Sequence, residues 1–220
     1  MKNLISILLL LFTTSTYGQY FTKFSFKSGF TFSNQIKKPK IIDDDGIKFG
    51  LSETIEPTII TFGTKKQFDF NTDISYIQKG DHNYSPIGDI GSASYLVTIN
   101  YISFSPIIKV SFWKIFFIKA GPRIDIFTSF KNNFKPDLYF PSSPDPRTNK
   151  DFNAFTYGIT YGFGICTGKN RVKFICELTG QNDFSKSSYN KASGQTFINN
   201  CYLLNFGVTV MLHKVANLQP

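Results

Sequence analysis

The side chains with the greatest chemical reach in this sequence are two histidines, three cysteines and one crowded run of acids. His82 lies in "GDHNYS", beside Asp81 and three residues before Ser85. That grouping contains the parts of a histidine-activated hydroxyl nucleophile, as used by lipid-modifying enzymes. His213 follows the last apolar segment. The elements derived below put it at the far end from His82, across a band about 25 Å tall, so the two cannot share a site. A His82–Ser85 dyad in a loop of Gly and Pro would also lack the rigid support that catalytic geometry needs. No catalytic residue is assigned.

Asp43, Asp44 and Asp45 precede Gly46, but without the alternating spacing of a calcium loop. With Lys37, Lys38 and Lys40 nearby they read as a solvated mixed-charge loop, so no metal and no cofactor is assigned. Cys166, Cys176 and Cys201 make an odd count, and their positions bring no two within bridging reach. Three free thiols are expected.

What remains is a pattern of charges, and it depends on the elements that carry them. "AFTYGITYGFGICTG", residues 154–168, alternates bulky apolar with small residues, the signature of a strand whose two faces differ. Similar alternation predicts eight strands near 20–33, 47–63, 66–80, 94–112, 116–130, 152–168, 171–184 and 197–212. Short connections ("GTKK", "WKI", "GKNR") alternate with long ones ("NQIKKPKIIDDDG", "DHNYSPIGDIGSA", "KNNFKPDLYFPSSPDPRTNK", "KSSYNKASGQT"). Tight turns at one end and long loops at the other describe an all-β, eight-stranded, antiparallel up-and-down transmembrane barrel with short periplasmic turns.

Volume decides which face is outside. An eight-stranded barrel is barely wide enough inside for side chains to fill it. The Phe- and Ile-rich phase would overpack that space, so it must face lipid. The Gly, Ser and Thr phase then lines the lumen together with Lys23, Lys27, Glu56, Asp69, Asp73, Lys109, Lys119, Arg123, Asp125, Lys173 and Glu177. The expected register sets Lys109 opposite Lys119, with Asp69 or Asp73 separating them. In the remaining hairpins Ile165 is expected opposite Phe174, and Thr61 opposite Phe68. Glu53 falls on the lipid phase, which is tolerable only above the hydrocarbon zone, and a change of phase between Tyr101 and Phe104 asks for a bulge near Ser103. Trp113 and Tyr20 at the turn end, and Tyr76, Tyr95, Tyr157 and Tyr202 at the loop end, suit two interfacial aromatic belts.

The N-terminal "MKNLISILLLLFTTSTYGQ" has Lys2, a short apolar run and small residues, predicting a signal peptide over 1–18 cleaved between Gly18 and Gln19. Barrel over 19–213 and a tail over 214–220 complete the expected organisation. The formal net charge of +9 comes from dispersed lysines without a basic stripe, which argues against nucleic acid. The expected surroundings are outer-membrane lipid and lipopolysaccharide. The long third loop offers Leu138, Tyr139 and Phe140 either as contacts for an envelope protein or as a cap over the lumen.

"SYIQKGD", "YISFSPIIKV", "AGPRIDI" and "GITYGFGI" together resemble the PorT-like outer-membrane β-barrel proteins of Bacteroidota. The resemblance rests on Tyr76, Lys79 and Gly80, on Tyr101, Pro106 and Lys109, and on Gly121 and Pro122, with Arg123 where the family has an aromatic. It implies an outer-membrane barrel fold, in a family most of whose members have no assigned activity, and in one namesake group a part in type IX protein secretion. The filled lumen and the lack of a catalytic set point to a non-enzymatic envelope protein, structural, adhesive or accessory. A small-solute pore and a lipid A-modifying enzyme are the competing classes.

Overall fold

The computed structural model describes residues 22–38, 44–63, 67–87, 91–113, 115–136, 147–168, 171–190 and 194–212. Eight long strands form its wall: β1 (Lys23–Lys38), β3 (Lys48–Phe62), β4 (Gln67–Ile87), β5 (Gly91–Phe112), β6 (Phe116–Pro136), β7 (Phe155–Thr167), β8 (Val172–Asp183) and β10 (Gln195–Met211). Two short strands, β2 (Asp44–Gly46) and β9 (Ser188–Asn190), pair with β4 and β10 at the loop end. Each long strand pairs antiparallel with the next, and β10 pairs with β1, which closes the barrel. One circuit of the paired rows, begun at Lys23, returns to β1 at Ser33, so the strands are steeply inclined to the barrel axis.

The period-two pattern sorts the side chains as volume requires. In β1, Lys23, Ser25, Lys27, Thr31, Ser33, Gln35 and Lys37 are buried, while Phe26, Phe30 and Ile36 are exposed. In β7, Phe155, Tyr157, Tyr161, Phe163 and Ile165 are exposed, and Thr156, Gly158, Thr160 and Gly164 face in. The interior is thus polar and the exterior apolar, the reverse of a water-soluble core.

Several details of register differ from the sequence reading. The hairpin of β7 and β8 sets Ile165 against Cys176 and Thr167 against Phe174, two residues from the expected alignment. Its turn is longer than two residues and begins at Gly168, whose φ of 152° is open to glycine. The slip by two preserves every face. In the hairpin of β3 and β4, Thr61 opposes Asp69 and Phe62 opposes Phe68, and a bulge at Ile59 restores the phase below it. The β5–β6 turn matches expectation: Val110 opposes Ile118, Phe112 opposes Phe116, and Trp113 takes a positive φ of 50°.

The bulge expected near Ser103 lies elsewhere. Asn100 pairs with Ser129 and Tyr101 with Phe127, so the extra residue is Thr128 on the partner strand. Strand β5 itself keeps one phase throughout, with Val97, Ile99 and Tyr101 wholly buried inside. Strands β4, β5 and β6 also run further toward the loop end than alternation suggested. "DHNYSPI" belongs to β4 and pairs with β5 up to Ile87 opposite Gly91. These extensions are too polar to show the alternation that marks the wall below them.

Candidate functional site

The interior is organised in layers, and β4 reads them in order from turn end to loop end as Asp69, Asp73, Ile77, Lys79 and Asp81. All five point inward and are buried. Alternation alone imposes this, since odd-numbered residues of one strand share a face.

At the turn end, the Lys23 ammonium lies 2.9 Å from both carboxylate oxygens of Asp69. Asp69 also accepts hydrogen bonds from Thr61 at 2.7 Å and Gln67 at 2.8 Å. Beside this pair is a cavity of about 190 Å³, lined among others by Lys23, Glu56, Asp69, Lys109, Cys166 and Lys173. Lys173 therefore sits at the mouth and contributes to its lining, half-buried and outside the ion-pair network.

The next layer is a closed set of three lysines and three carboxylates. Lys27 reaches Glu56 at 2.5 Å, Glu177 at 2.9 Å and Asp73 at 3.4 Å. Lys109 binds Glu56 at 2.9 Å, while Lys119 binds Asp73 at 2.9 Å and Glu177 at 3.0 Å. Asn71 donates to Glu56 at 2.5 Å, and Asn205 to Glu177 at 3.3 Å. Six strands contribute charges, so the network ties the wall together across the lumen. Lys109 does oppose Lys119 as expected, and Asp73 does hold Lys119. The counter-ion of Lys109 is Glu56, however, which reaches it from β3, two strands away; Asp69 is taken by Lys23.

Above a small apolar patch of Ile77, Cys201 and Leu203 comes a second neutral set. Lys79 lies 2.6 Å from Asp125 and 3.3 Å from Asp183. Arg123 pairs with Asp125 at 3.2 Å and makes a short contact with Asp183. The Lys79 ammonium also lies 5.2 Å from the centre of the Tyr101 ring, whose hydroxyl accepts from Asn199 at 3.2 Å. Sequence reasoning left Lys79 and Asp183 out of the network. Parity could have found both, since Lys79 shares the face of Asp69 and Asp73, and Asp183 that of Glu177.

The loop end is stoppered by the segment before β7. Arg147 is buried, with its guanidinium 4.0 Å from the Phe197 ring centre, and donates to Gln35 and Ser188 at 3.2 Å each. Phe152 packs on Phe127 and Phe130 at ring separations of 5.0 and 4.7 Å. A 3-10 turn at Asn149–Asp151 joins the two residues, fixed by a reciprocal Thr148–Asp151 capping box. The described end of the third loop is thus a cap. Leu138, Tyr139 and Phe140 lie outside the described residues, as do Gly18, Gln19, Tyr20 and His213.

His82 is exposed and belongs to β4, opposite Leu96, rather than to a loop. Among the described residues no three His, Cys, Asp or Glu side chains converge as a metal site. All three cysteines are free thiols. Of the aromatic belts, Trp113, Tyr76, Tyr157 and Tyr202 are exposed on the outer wall.

The residues behind the family resemblance have packing roles. Lys79 and Tyr101 meet in the second ion layer, Lys109 stands in the first, and Gly121 lies where a side chain would strike the Pro106 carbonyl.

The fold and interior define a closed eight-stranded antiparallel β-barrel with a plugged polar lumen and an apolar outer wall. No protein-family model matches the sequence, and no curated protein matches it either. Among solved structures the chain is similar to Neisserial surface protein A, with 12% identity and a TM-score of 0.41 over 86% of this chain and 97% of that one. It is similar to Ail, the attachment invasion locus protein of Yersinia pestis, solved with the heparin analogue sucrose octasulfate (11% identity, TM-score 0.40, 86% and 98% covered). The outer membrane protein OprG of Pseudomonas aeruginosa is a third such neighbour (10% identity, TM-score 0.41, 87% and 97% covered).

Proposed function

We propose that this chain is an exported outer-membrane barrel, PorT-like in kind, that acts as a structural or adhesive envelope protein or as an accessory subunit and performs no catalysis. One observation carries the reading: an apolar wall encloses charges that neutralise each other in successive layers. Water is a poor solvent for that wall and hydrocarbon a good one. Among the described residues, ion pairs from facing strands cross the lumen in two layers, which favours a filled interior over an open porin-like channel. The histidine that could have supported acyl chemistry is an exposed residue on a strand. Work on such a barrel falls to its outer loops and outer wall, where lipopolysaccharide and other envelope proteins are met.

The test is to fractionate envelopes of cells expressing the full chain and then to record from the purified protein in planar bilayers. Recovery in the outer membrane, heat-modifiable migration and absence of steady conductance are expected. A free periplasmic product, or a stable ion-selective conductance, contradicts the proposal. His82→Ala is expected to leave membrane lipid composition unchanged.

A further inference from the structure

The inward charges of the turn end do not sum to zero. Lys27, Lys109 and Lys119 balance Glu56, Asp73 and Glu177, and Lys23 balances Asp69. Lys173 is left over. Its position on β8 opposite Thr209 turns it inward, and it makes no hydrogen bond or ion pair with any described residue. One uncompensated positive charge therefore lines the turn-end cavity.

The cavity gathers further donors around that charge. Lys23, Lys109 and Lys173 all line it, and each is close enough to act electrostatically on the Cys166 thiol beside them. Its two carboxylates are already covered. Asp69 accepts from Lys23, Thr61 and Gln67, and Glu56 accepts from Lys27, Lys109 and Asn71. The Thr58 hydroxyl is in a different position. Thr58 shares the inward face with its partner Lys23, is 1% exposed and lines the cavity, yet its side chain bonds to no described residue. Ser111, inward on β5, adds a second hydroxyl of the same kind. A buried hydroxyl without a partner carries a desolvation cost that a bound acceptor offsets.

We propose that the turn-end cavity is an oxyanion site that takes a phosphate group, held by the Lys173 ammonium and the Thr58 and Ser111 hydroxyls. Its size suits that ligand. About 190 Å³ is less than the ~300 Å³ at which pockets for drug-sized molecules begin, and it leaves room for a small ion with ordered water. An oxyanion brings the acceptor oxygens that all three donors lack, and its bond to an ammonium is of the strong, charge-assisted kind. A cation would instead meet three ammoniums and two carboxylates already engaged. The site belongs to the folded barrel itself. With the outer-membrane placement proposed above, its rim of Gln67, Ile115 and Met211 faces the periplasm. Inorganic phosphate and a phospholipid headgroup present the same chemistry there.

The test uses the purified full chain in a sugar-headed detergent and phosphate-free buffer. Alkylation of each cysteine by iodoacetamide is followed by mass spectrometry while inorganic phosphate replaces chloride at constant ionic strength. Phosphate is expected to slow the reaction of Cys166 severalfold and to leave Cys176 unaffected. Lys173→Met is expected to raise the half-protecting concentration about tenfold, the loss of one charge-assisted hydrogen bond. That variant breaks no ion pair, so heat-modifiable migration is retained, and Lys173→Arg is expected to keep most of the protection. Mixed micelles containing phosphatidylglycerol, without free phosphate, separate the two sources. Protection of Cys166 there that Lys173→Met removes assigns the group to a lipid headgroup, and protection by free phosphate alone assigns it to a soluble ion. No slowing of Cys166 by either source, an equal slowing by chloride, or slowing that Lys173→Met leaves unchanged overturns the proposal.

Discussion

Lys109 and Lys119 stand directly opposite each other across β5 and β6, yet neither depends on the other's absence. Glu56 takes the first, and Asp73 with Glu177 takes the second. Lys27 joins the three carboxylates from the opposite side, so the layer is neutral although its directly paired residues are alike in charge.

Glu56 is therefore the most sensitive charge in the interior. Glu56→Gln leaves Lys27 with two other carboxylates but removes the ion-pair partner of Lys109. A buried cation left unpaired costs about 3–5 kcal/mol. Urea unfolding in detergent is expected to show that loss, and the double variant Glu56→Gln with Lys109→Met is expected to recover much of it.

The small residues of the lumen are there because the neighbours leave no room. A Cβ at Gly164 would lie 2.5 Å from the Cys176 backbone oxygen, 2.6 Å from the Phe117 ring and 2.8 Å from the Glu177 Cβ. Gly164→Val is expected to destabilise the barrel by about 1–3 kcal/mol through overpacking. The loss is read as a lower temperature of the heat-modifiable transition. An outward site, such as Phe163→Val, is expected to shift the transition far less.

The three free thiols report three environments. Cys166 lines the turn-end cavity, Cys176 is half-buried on the outer wall and Cys201 is buried among Ile77 and Leu203. In the folded protein a small water-soluble thiol reagent is expected to reach Cys166. A membrane-soluble one should reach Cys176, and neither should reach Cys201 before unfolding. Mass spectrometry of each labelled thiol checks the assignment.

The barrel and its inverted faces were legible because β7 and β1 alternate without interruption, and because an interior of this width cannot hold the Phe-rich phase. Eleven inward charges were readable from parity, and ten of them stand in ion pairs; Lys173 remains at the mouth. Pairing across the lumen was not legible. Glu56 reaches Lys109 over an intervening strand, and adjacency in the sheet cannot report such a contact. Bulges at Ile59 and Thr128 reverse the alternation beyond them, but each leaves only a short or mixed stretch, Ile60–Phe62 or Ser129–Asn133, in which the reversed phase does not stand out. The loop-end extensions and the Arg147 cap were hidden for the opposite reason. Their residues are polar on both faces or lie beyond the wall, where periodicity carries no signal.

The central claim is that hydrocarbon, and not protein or water, surrounds the bulky face. It is tested most directly by a nitroxide attached through Phe163→Cys, with the native cysteines replaced, in the lipid-reconstituted barrel. The account predicts relaxation by oxygen and shielding from a polar nickel chelate at that site. A nitroxide shielded from both agents, as in a packed core, would contradict it. So would one relaxed by both, as on an aqueous surface.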